Sequence, residues 1–220
     1  MDVVYEDNHL VVVNKRAGEI VQGDRTGDEP LSEMVKRYLK EKYSKPGNVF
    51  CGVVHRLDRP VAGLVVFART GKALERMNRM FRDGEVHKTY WALVQGRPSR
   101  PEALLEDWLV SDGRMNKTFV TESGREGAKL ARLSYRTIAN GDRYTLLEVR
   151  LLTGRKHQIR AQLANIGCPV RGDLKYGARR SNPDGGISLQ SHAIEFVHPV
   201  ARQTVSLEVA PLPDMSKLLQ

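Results

Sequence analysis

Two runs of alternating apolar and polar residues flank the tetrapeptide Ala139-Asn140-Gly141-Asp142, and they constrain the fold more than any other feature of the chain. Asn-Gly is typical of the tight turn between antiparallel strands, so we predict a hairpin from residues 128–138 into residues 143–152. Similar alternation recurs in residues 88–95, 103–110 and 117–120. Successive hairpins with a few helices predict an α+β protein, whose largely antiparallel mixed β-sheet is flanked by helices.

Besides residues 31–39, two segments have the apolar spacing of helices. Thr70 can cap a helix that ends at Gly84. Residues 155–166 predict a second helix, in which Lys156 and Arg160 are four residues apart and project together from one face. A charged helix face is commonly just solvated. Here the end of the preceding strand, the turn and the start of the helix converge on one basic edge, so we predict a site at this edge.

Length and composition set the class of protein. A chain of 220 residues can build one sizeable core, and we predict a single domain over residues 1–220. Lys and Arg total 35 against 26 acidic residues, and this excess suits a polyanionic partner, although many soluble proteins are simply basic. Cys51 and Cys168 have no paired spacing, and neither a signal peptide nor a membrane-spanning stretch is evident, so we expect a cytoplasmic protein.

Residues 52–68, GVVHRLDRPVAGLVVFA, place one carboxylate among cations. Asp58 is preceded by His55 and Arg56 and followed by Arg59, and nearby positive charges favour an ionised carboxylate. Pro60 stiffens the turn before a buried strand. The residues alone leave two interpretations open, a surface cluster of ion pairs or a catalytic acid presented on a rigid turn.

Fingerprints of the common cofactors are missing from the sequence. There is no GxGxxG, no GxxxxGK[ST] and no zinc-deaminase pattern, so we predict chemistry without a cofactor or a metal. Tyr90 lies in an alternating strand, where a tyrosine is by default a core residue. The loop GDLKYGARR contains Lys175 and can contact a nucleic-acid backbone.

The segment HRLDRPVAGLVVFA resembles the signature of the RluA-type family of RNA pseudouridine synthases. The segments HKTYWALVQG, TGRKHQIRAQLANIGCPVRGD and LQSHAIEFVHP match the family in the same order. The resemblance runs from about residue 3 to residue 211, so we expect the catalytic domain without an N-terminal S4 RNA-binding domain. Val61-Ala62 departs from the Thr-Ser pair of many members.

The resemblance implies a domain with a central active-site cleft and a cofactor-free isomerisation of uridine. Asp58 is the implied nucleophile at the sugar, or the base acting on it. Tyr90 is the implied stacking residue that helps to remove the proton from C5 of the base. Arg160 is expected to pair with Asp58 and hold it ionised.

The resemblance also implies contacts to a flipped-out nucleotide. Leu189 is expected to pack against the base, and Arg56 to fill the vacated space with His55 and Arg59 beside it. Lys156 and Lys175 are candidate RNA contacts. The expected partner is structured RNA (tRNA or rRNA). We expect a monomer that binds no membrane and needs no obligate protein partner.

Two rival functions remain open from the sequence. A non-catalytic RNA-binding protein could keep this fold, but it would not need Asp58, Tyr90 and Arg160 in combination. A retaining glycoside hydrolase usually needs paired carboxylates, and no second acid accompanies Asp58 in its motif.

Overall fold

The computed structural model describes residues 1–219, which form two compact units. The first unit contains Met1–His87 and Ala193–Val209, and the second contains Lys88–His192 and residues 210–219. In chain order the elements are β1 (Asp2–Glu6), β2 (Leu10–Lys15), α1 (Leu31–Lys42), β3 (Gly52–Val53), β4 (Ala62–Ala68), α2 (Gly71–Asp83), β5 (His87–Gln95), β6 (Glu102–Asp112), β7 (Lys117–Thr121), β8 (Lys129–Asn140), β9 (Tyr144–Leu151), α3 (Gln158–Asn165), β10 (Leu189–Val197), β11 (Thr204–Glu208) and α4 (Pro213–Leu219).

The first unit is built on the antiparallel pairs β1–β2 and β2–β4, with β3 added to β4 and a hairpin in which β11 pairs with residues 193–197 of β10. β4 is buried along its whole length, as its unbroken apolar sequence predicts. Its core lies under α2, whose Met77 and Met80 pack with strand residues such as Leu64 and Phe196. This core supports the segment that carries Asp58.

Helix α2 begins and ends where the sequence predicts. The side-chain oxygen of Thr70 accepts a hydrogen bond from the backbone N–H of Ala73 at 3.2 Å, which satisfies one of the donors at the helix start. Gly84 ends the helix in the left-handed conformation, with φ of 78°. With 13 residues, α2 is too short to span a bilayer, and no helix within residues 1–219 is long and apolar enough to do so.

The second unit is an antiparallel sheet in the order β5-β9-β8-β6-β7. The predicted hairpin is present between β8 and β9, where Gly141 N–H donates to the carbonyl of Tyr144. One small core contains Leu109, Ala131, Ala161 and Tyr176, so it joins β6 and β8 to α3 and the short turn after it. The fold-class prediction of an α+β protein with a largely antiparallel sheet and flanking helices is therefore confirmed.

The sequence prediction for α3 was wrong in two respects. The helix begins at Gln158, not Arg155, because His157 has a left-handed backbone with φ of 52° and interrupts the turn. Lys156 therefore precedes the helix and does not share a face with Arg160. The expected charged face is also absent, since Gln158 to Leu163 are all buried and Lys156 lies before the helix.

Candidate active site

The turn that carries Asp58 is fixed through its backbone. Val61 N–H donates to the carbonyl of Asp58 at 3.0 Å and closes the turn. Gly18 N–H donates to the carbonyl of Arg59 at 2.8 Å, from a left-handed conformation with φ of 90° that suits glycine. The Asp58 side chain is half-buried. The first unit thus presents this carboxylate on a turn held at two successive points.

The buried side chain of Lys15 adds a third and stronger restraint on the backbone of this turn. Its side chain is only 1% exposed, and its ammonium donates to the carbonyls of Val61 at 2.7 Å, Arg16 at 2.9 Å and Arg59 at 3.1 Å. Burial lowers the pKa of Lys15 to about 8, although the charges of Glu19 and Asp58 oppose this shift and Arg59 reinforces it. A buried cation therefore lies within electrostatic range of Asp58.

The three basic residues near Asp58 have different environments. The Nε2 atom of His55 accepts a hydrogen bond from Val66 N–H at 3.1 Å, and its ring stacks on Phe81 with 4.8 Å between centroids. Accepting at Nε2 requires that this nitrogen carries no proton. Arg59 is exposed and forms an ion pair with Asp28, and Arg56 is exposed. Of the three, His55 is the one that is part of the packed structure.

Tyr90 lies in the middle of β5, in the second unit. It is buried and sits opposite Val149 in the β5–β9 pair. Lys88 is two residues earlier on the same face of the strand, and burial lowers the pKa of its ammonium. A buried tyrosine and a half-buried lysine therefore share one face of the strand.

Arg160 lies in the first turn of α3 and forms a bidentate ion pair with Asp173. The Nε···Oδ2 distance is 2.6 Å and the Nη2···Oδ1 distance is 2.9 Å, and both side chains are buried. The guanidinium carbon lies 4.9 Å from the centroid of the Tyr176 ring. The predicted pairing of Arg160 with Asp58 stays a prediction.

The remaining predicted contacts also lie in the second unit. Leu189 is buried at the start of β10. Lys156 is exposed and lines an open cavity of about 560 Å³ together with Lys129, Arg155 and Glu126. Lys175 is exposed and donates to the carbonyl of Asn116 at 3.0 Å, which ties its loop to the β6–β7 turn. This part of the second unit thus has an excess of positive charge on its surface.

Three residues that the sequence reasoning missed surround the predicted site residues. Lys15 ends an apolar strand, LVVVNK, and a lysine in such a run is the signal that could have identified it. Asp173 and Tyr176 lie in GDLKYG, which we interpreted as part of a basic loop that can contact a nucleic-acid backbone. Tyr176 is buried, so this part of the loop is packed inside the unit.

The fold matches solved pseudouridine synthase structures. The human RNA pseudouridylate synthase domain containing 4 superposes with a TM-score of 0.82, covering 99% of this chain and 91% of that one at 21% identity. The human domain containing 1 gives a TM-score of 0.75, with 97% and 85% coverage and 22% identity. The architecture is thus that of a pseudouridine synthase domain.

Sequence comparison gives the family itself. Residues 9–165 match the family model described as RNA pseudouridylate synthase. The ribosomal large subunit pseudouridine synthase D of Xylella fastidiosa is 32% identical over 244 residues, covering 100% of this chain and 68% of that protein. An uncharacterised RNA pseudouridine synthase of Bacillus subtilis is 31% identical, with 100% and 72% coverage. The chain belongs to the RluA-type family of RNA pseudouridine synthases and is an isomerase that acts on RNA.

Proposed function

We propose that Asp58 is the catalytic carboxylate of this pseudouridine synthase and that Tyr90 and Arg160 complete the catalytic set. The observation that carries the proposal is the support of the Asp58 turn, in which Lys15 and Gly18 donate to backbone carbonyls on both sides of Pro60. A turn restrained in this way can hold a side chain at a reacting atom without losing conformational freedom during the reaction.

The reaction replaces one carbon–nitrogen bond by one carbon–carbon bond and moves one proton, without a redox step. The bond from N1 of uracil to C1′ of the sugar breaks, the base rotates, and C5 bonds to C1′. C5 then loses its proton and N1 gains one. Asp58 acts at the sugar, either by attacking C1′ or as a base on the sugar.

Tyr90 and Arg160 act on the base and on the carboxylate, respectively. The Tyr90 ring supplies a flat surface on which a detached uracil can stack, and the residue helps to remove the C5 proton. Arg160 pairs with Asp58, because a guanidinium beside a carboxylate favours its ionised form and fixes its direction.

The substrate is a nucleotide flipped out of structured RNA, either rRNA or tRNA. Large-subunit rRNA is the first RNA to test, because the relative from Xylella fastidiosa carries that substrate in its name. Arg56 fills the space left by the nucleotide, with His55 and Arg59 beside it, and Leu189 packs against the base.

The RNA backbone is bound by basic residues of the second unit. Lys156 lines the open cavity of about 560 Å³ with Lys129 and Arg155, and Lys175 extends the basic surface. Cationic side chains attract phosphates through a salt-dependent interaction that does not depend on sequence. Exchanging Lys129 and Arg155 for glutamate is therefore expected to weaken RNA binding and to reduce its dependence on salt.

We also propose that the enzyme works in the cytoplasm as a monomer. The thiols of Cys51 and Cys168 are free, which is compatible with a reducing compartment. Light scattering of the purified protein, with and without RNA, tests the oligomeric state.

The test of function compares a strain that lacks the gene with the same strain carrying wild type, Asp58→Asn or Asp24→Asn. Asp24 is an exposed carboxylate of the same unit and serves as the matched control. Pseudouridines in total RNA are mapped by carbodiimide-dependent stops of reverse transcription. We expect one or a few sites to vanish in the deletion strain and to return with wild type and Asp24→Asn only.

Two outcomes would contradict the proposal. If Asp58→Asn restores the lost sites, Asp58 is not the catalytic carboxylate. If every site persists in the deletion strain and purified wild type modifies no rRNA or tRNA while still binding it, a non-catalytic RNA-binding role is the better explanation.

A further inference from the structure

Arg160 is held by a carboxylate that lies outside the predicted catalytic set. Asp173 accepts hydrogen bonds from Nε and Nη2, at 2.6 and 2.9 Å, in the parallel arrangement that matches the planar guanidinium. The side chain of Arg160 is 5% exposed and that of Asp173 is 1% exposed. The pair is thus fully enclosed, and its geometry defines the plane of the guanidinium.

Tyr176 supports the guanidinium from a second direction. Its ring centroid lies 4.9 Å from the guanidinium carbon, within the range of a cation–π contact. The ring is itself fixed at its hydroxyl, where Oη accepts from Thr118 N–H at 2.8 Å and shares a hydrogen bond with His157 Nδ1 at 2.9 Å. Tyr176 therefore connects Arg160 to the backbone of β7.

The position of Arg160 is a poor one for stability. It lies in the first turn of α3, where the partial positive charge of the helix start repels a cation. Burying the charged pair also carries a desolvation cost, and a buried ion pair is often no more stable than apolar residues of the same volume. Departures of this kind from the most stable arrangement are expected at functional sites.

We propose that Asp173 and Tyr176 are the positioning residues of Arg160, and the proposal rests on the catalytic role assigned to Arg160 above. Asp173 accepts hydrogen bonds from Nε and Nη2 along one edge of the guanidinium. These bonds fix the direction in which its remaining N–H groups point. Contact with the Tyr176 ring fixes the distance between the guanidinium and that ring. Neither residue touches the reacting atoms, and both act through Arg160 alone.

A double-mutant cycle tests this mechanism. Single-turnover rates of pseudouridine formation and RNA affinities are measured for wild type, Asp173→Asn, Arg160→Lys and the double variant. We expect Asp173→Asn to lower the rate by about 100-fold, since a misplacement of about 1 Å is enough for such a loss. RNA affinity is expected to stay within about twofold, because Asp173 is buried away from solvent.

The cycle separates a positioning role from general damage to the fold. Since Asp173 acts through Arg160, Asp173→Asn is expected to cost little further rate in the Arg160→Lys background. Asp107→Asn is the matched control, because Asp107 accepts a hydrogen bond from Gln162 of the same helix at 2.7 Å. Asp107 lies in β6, so the change removes a carboxylate that binds α3 through Gln162 and keeps the Asp173 partner of Arg160, and we expect the wild-type rate.

Three results would overturn the proposal. One is a folded Asp173→Asn protein with the wild-type rate, and another is a rate loss in the double variant equal to the product of the two single losses. If Asp173→Asn does not fold, the rate of the Tyr176→Phe variant tests the proposal instead. This change keeps the ring but removes the hydroxyl contacts to Thr118 and His157, and it is expected to lower the rate about tenfold with unchanged RNA affinity. A wild-type rate for folded Tyr176→Phe is the third contrary result.

If the proposed catalytic function is wrong, the rates of the variants follow a different pattern. If Arg160→Lys or Asp58→Asn retains the wild-type rate, the catalytic assignment is wrong whatever Asp173→Asn does. If both lose activity while Asp173→Asn does not, the catalytic assignment stands and only the positioning role is rejected.

Discussion

Replacing Lys15 by methionine removes the cation beneath the Asp58 turn while nearly preserving the side-chain volume. The pKa of about 8, against 10.5 for a free lysine, corresponds to a cost of about 3 kcal/mol for burying the charged form. Hydrogen bonds from a charged donor contribute about 1.5–3 kcal/mol each, so the three bonds to Val61, Arg16 and Arg59 outweigh this cost. We expect Lys15→Met to lower the free energy of unfolding by about 2–4 kcal/mol.

The catalytic effect of Lys15→Met is expected to exceed what the loss of stability explains. Loosening the carbonyls of Arg59 and Val61 displaces the Asp58 carboxylate, and a shift of about 1 Å costs about 100-fold in rate. Denaturant unfolding gives the stability, and single-turnover pseudouridine formation at a temperature where the variant is folded gives the rate.

Lys36→Met is the control, because Lys36 pairs with Glu33 on the exposed surface of α1 in the same unit. An exposed pair of this kind contributes about 0.5 kcal/mol, so neither stability nor rate is expected to change appreciably. A folded Lys15→Met protein that converts uridine at the wild-type rate would refute the reasoning, because Asp58 would then be placed without the lysine.

Three further predictions concern stability. Burial alone would raise the pKa of Glu6, but hydrogen bonds from Lys42, Tyr43 and Tyr38 lower it to about 2. Its contribution to stability, about 3 kcal/mol, is therefore present above pH 4.5 and lost as the pH falls toward 2, and acid unfolding of Glu6→Gln should lack this component. Thr70→Ala removes the cap of α2 and should cost about 1 kcal/mol in denaturant unfolding, whereas Thr70→Ser should restore most of it. Arg136→Ala breaks an exposed pair with Glu148 and should change the free energy of unfolding by less than about 1 kcal/mol; a larger loss would show that this pair is not screened by water.

The elements that the sequence predicted well are those whose signals are local. Thr70 and Gly84 bound α2 because a capping hydroxyl and a left-handed glycine act within one turn of the helix. The hairpin at Asn140 and Gly141 likewise depends on a few neighbouring residues. The cations and Pro60 beside Asp58 in the chain drew attention to this carboxylate, but its catalytic role was inferred from the family resemblance and stays a prediction.

The parts that the sequence did not predict depend on distant partners. Lys15 bonds to carbonyls 44 and 46 residues away, and a carbonyl is present at every residue, so no side-chain pattern marks its partners. Arg160 and Asp173 are 13 residues apart, beyond the reach of helical spacing. The late start of α3 follows from the left-handed backbone of His157, a conformation that is uncommon for residues other than glycine and that no neighbouring residue in the sequence signals.

The support of the Asp58 turn has a consequence for how the sequence can vary. Lys15 and Gly18 donate hydrogen bonds to main-chain oxygens, so this restraint does not depend on which side chains Arg59 and Val61 carry. Val61 and Ala62 are buried, so their side chains contribute to packing. The turn that carries Asp58 can therefore stay in place while the side chains after it vary, and this is compatible with Val61-Ala62 at the positions where the resembled signature has Thr-Ser.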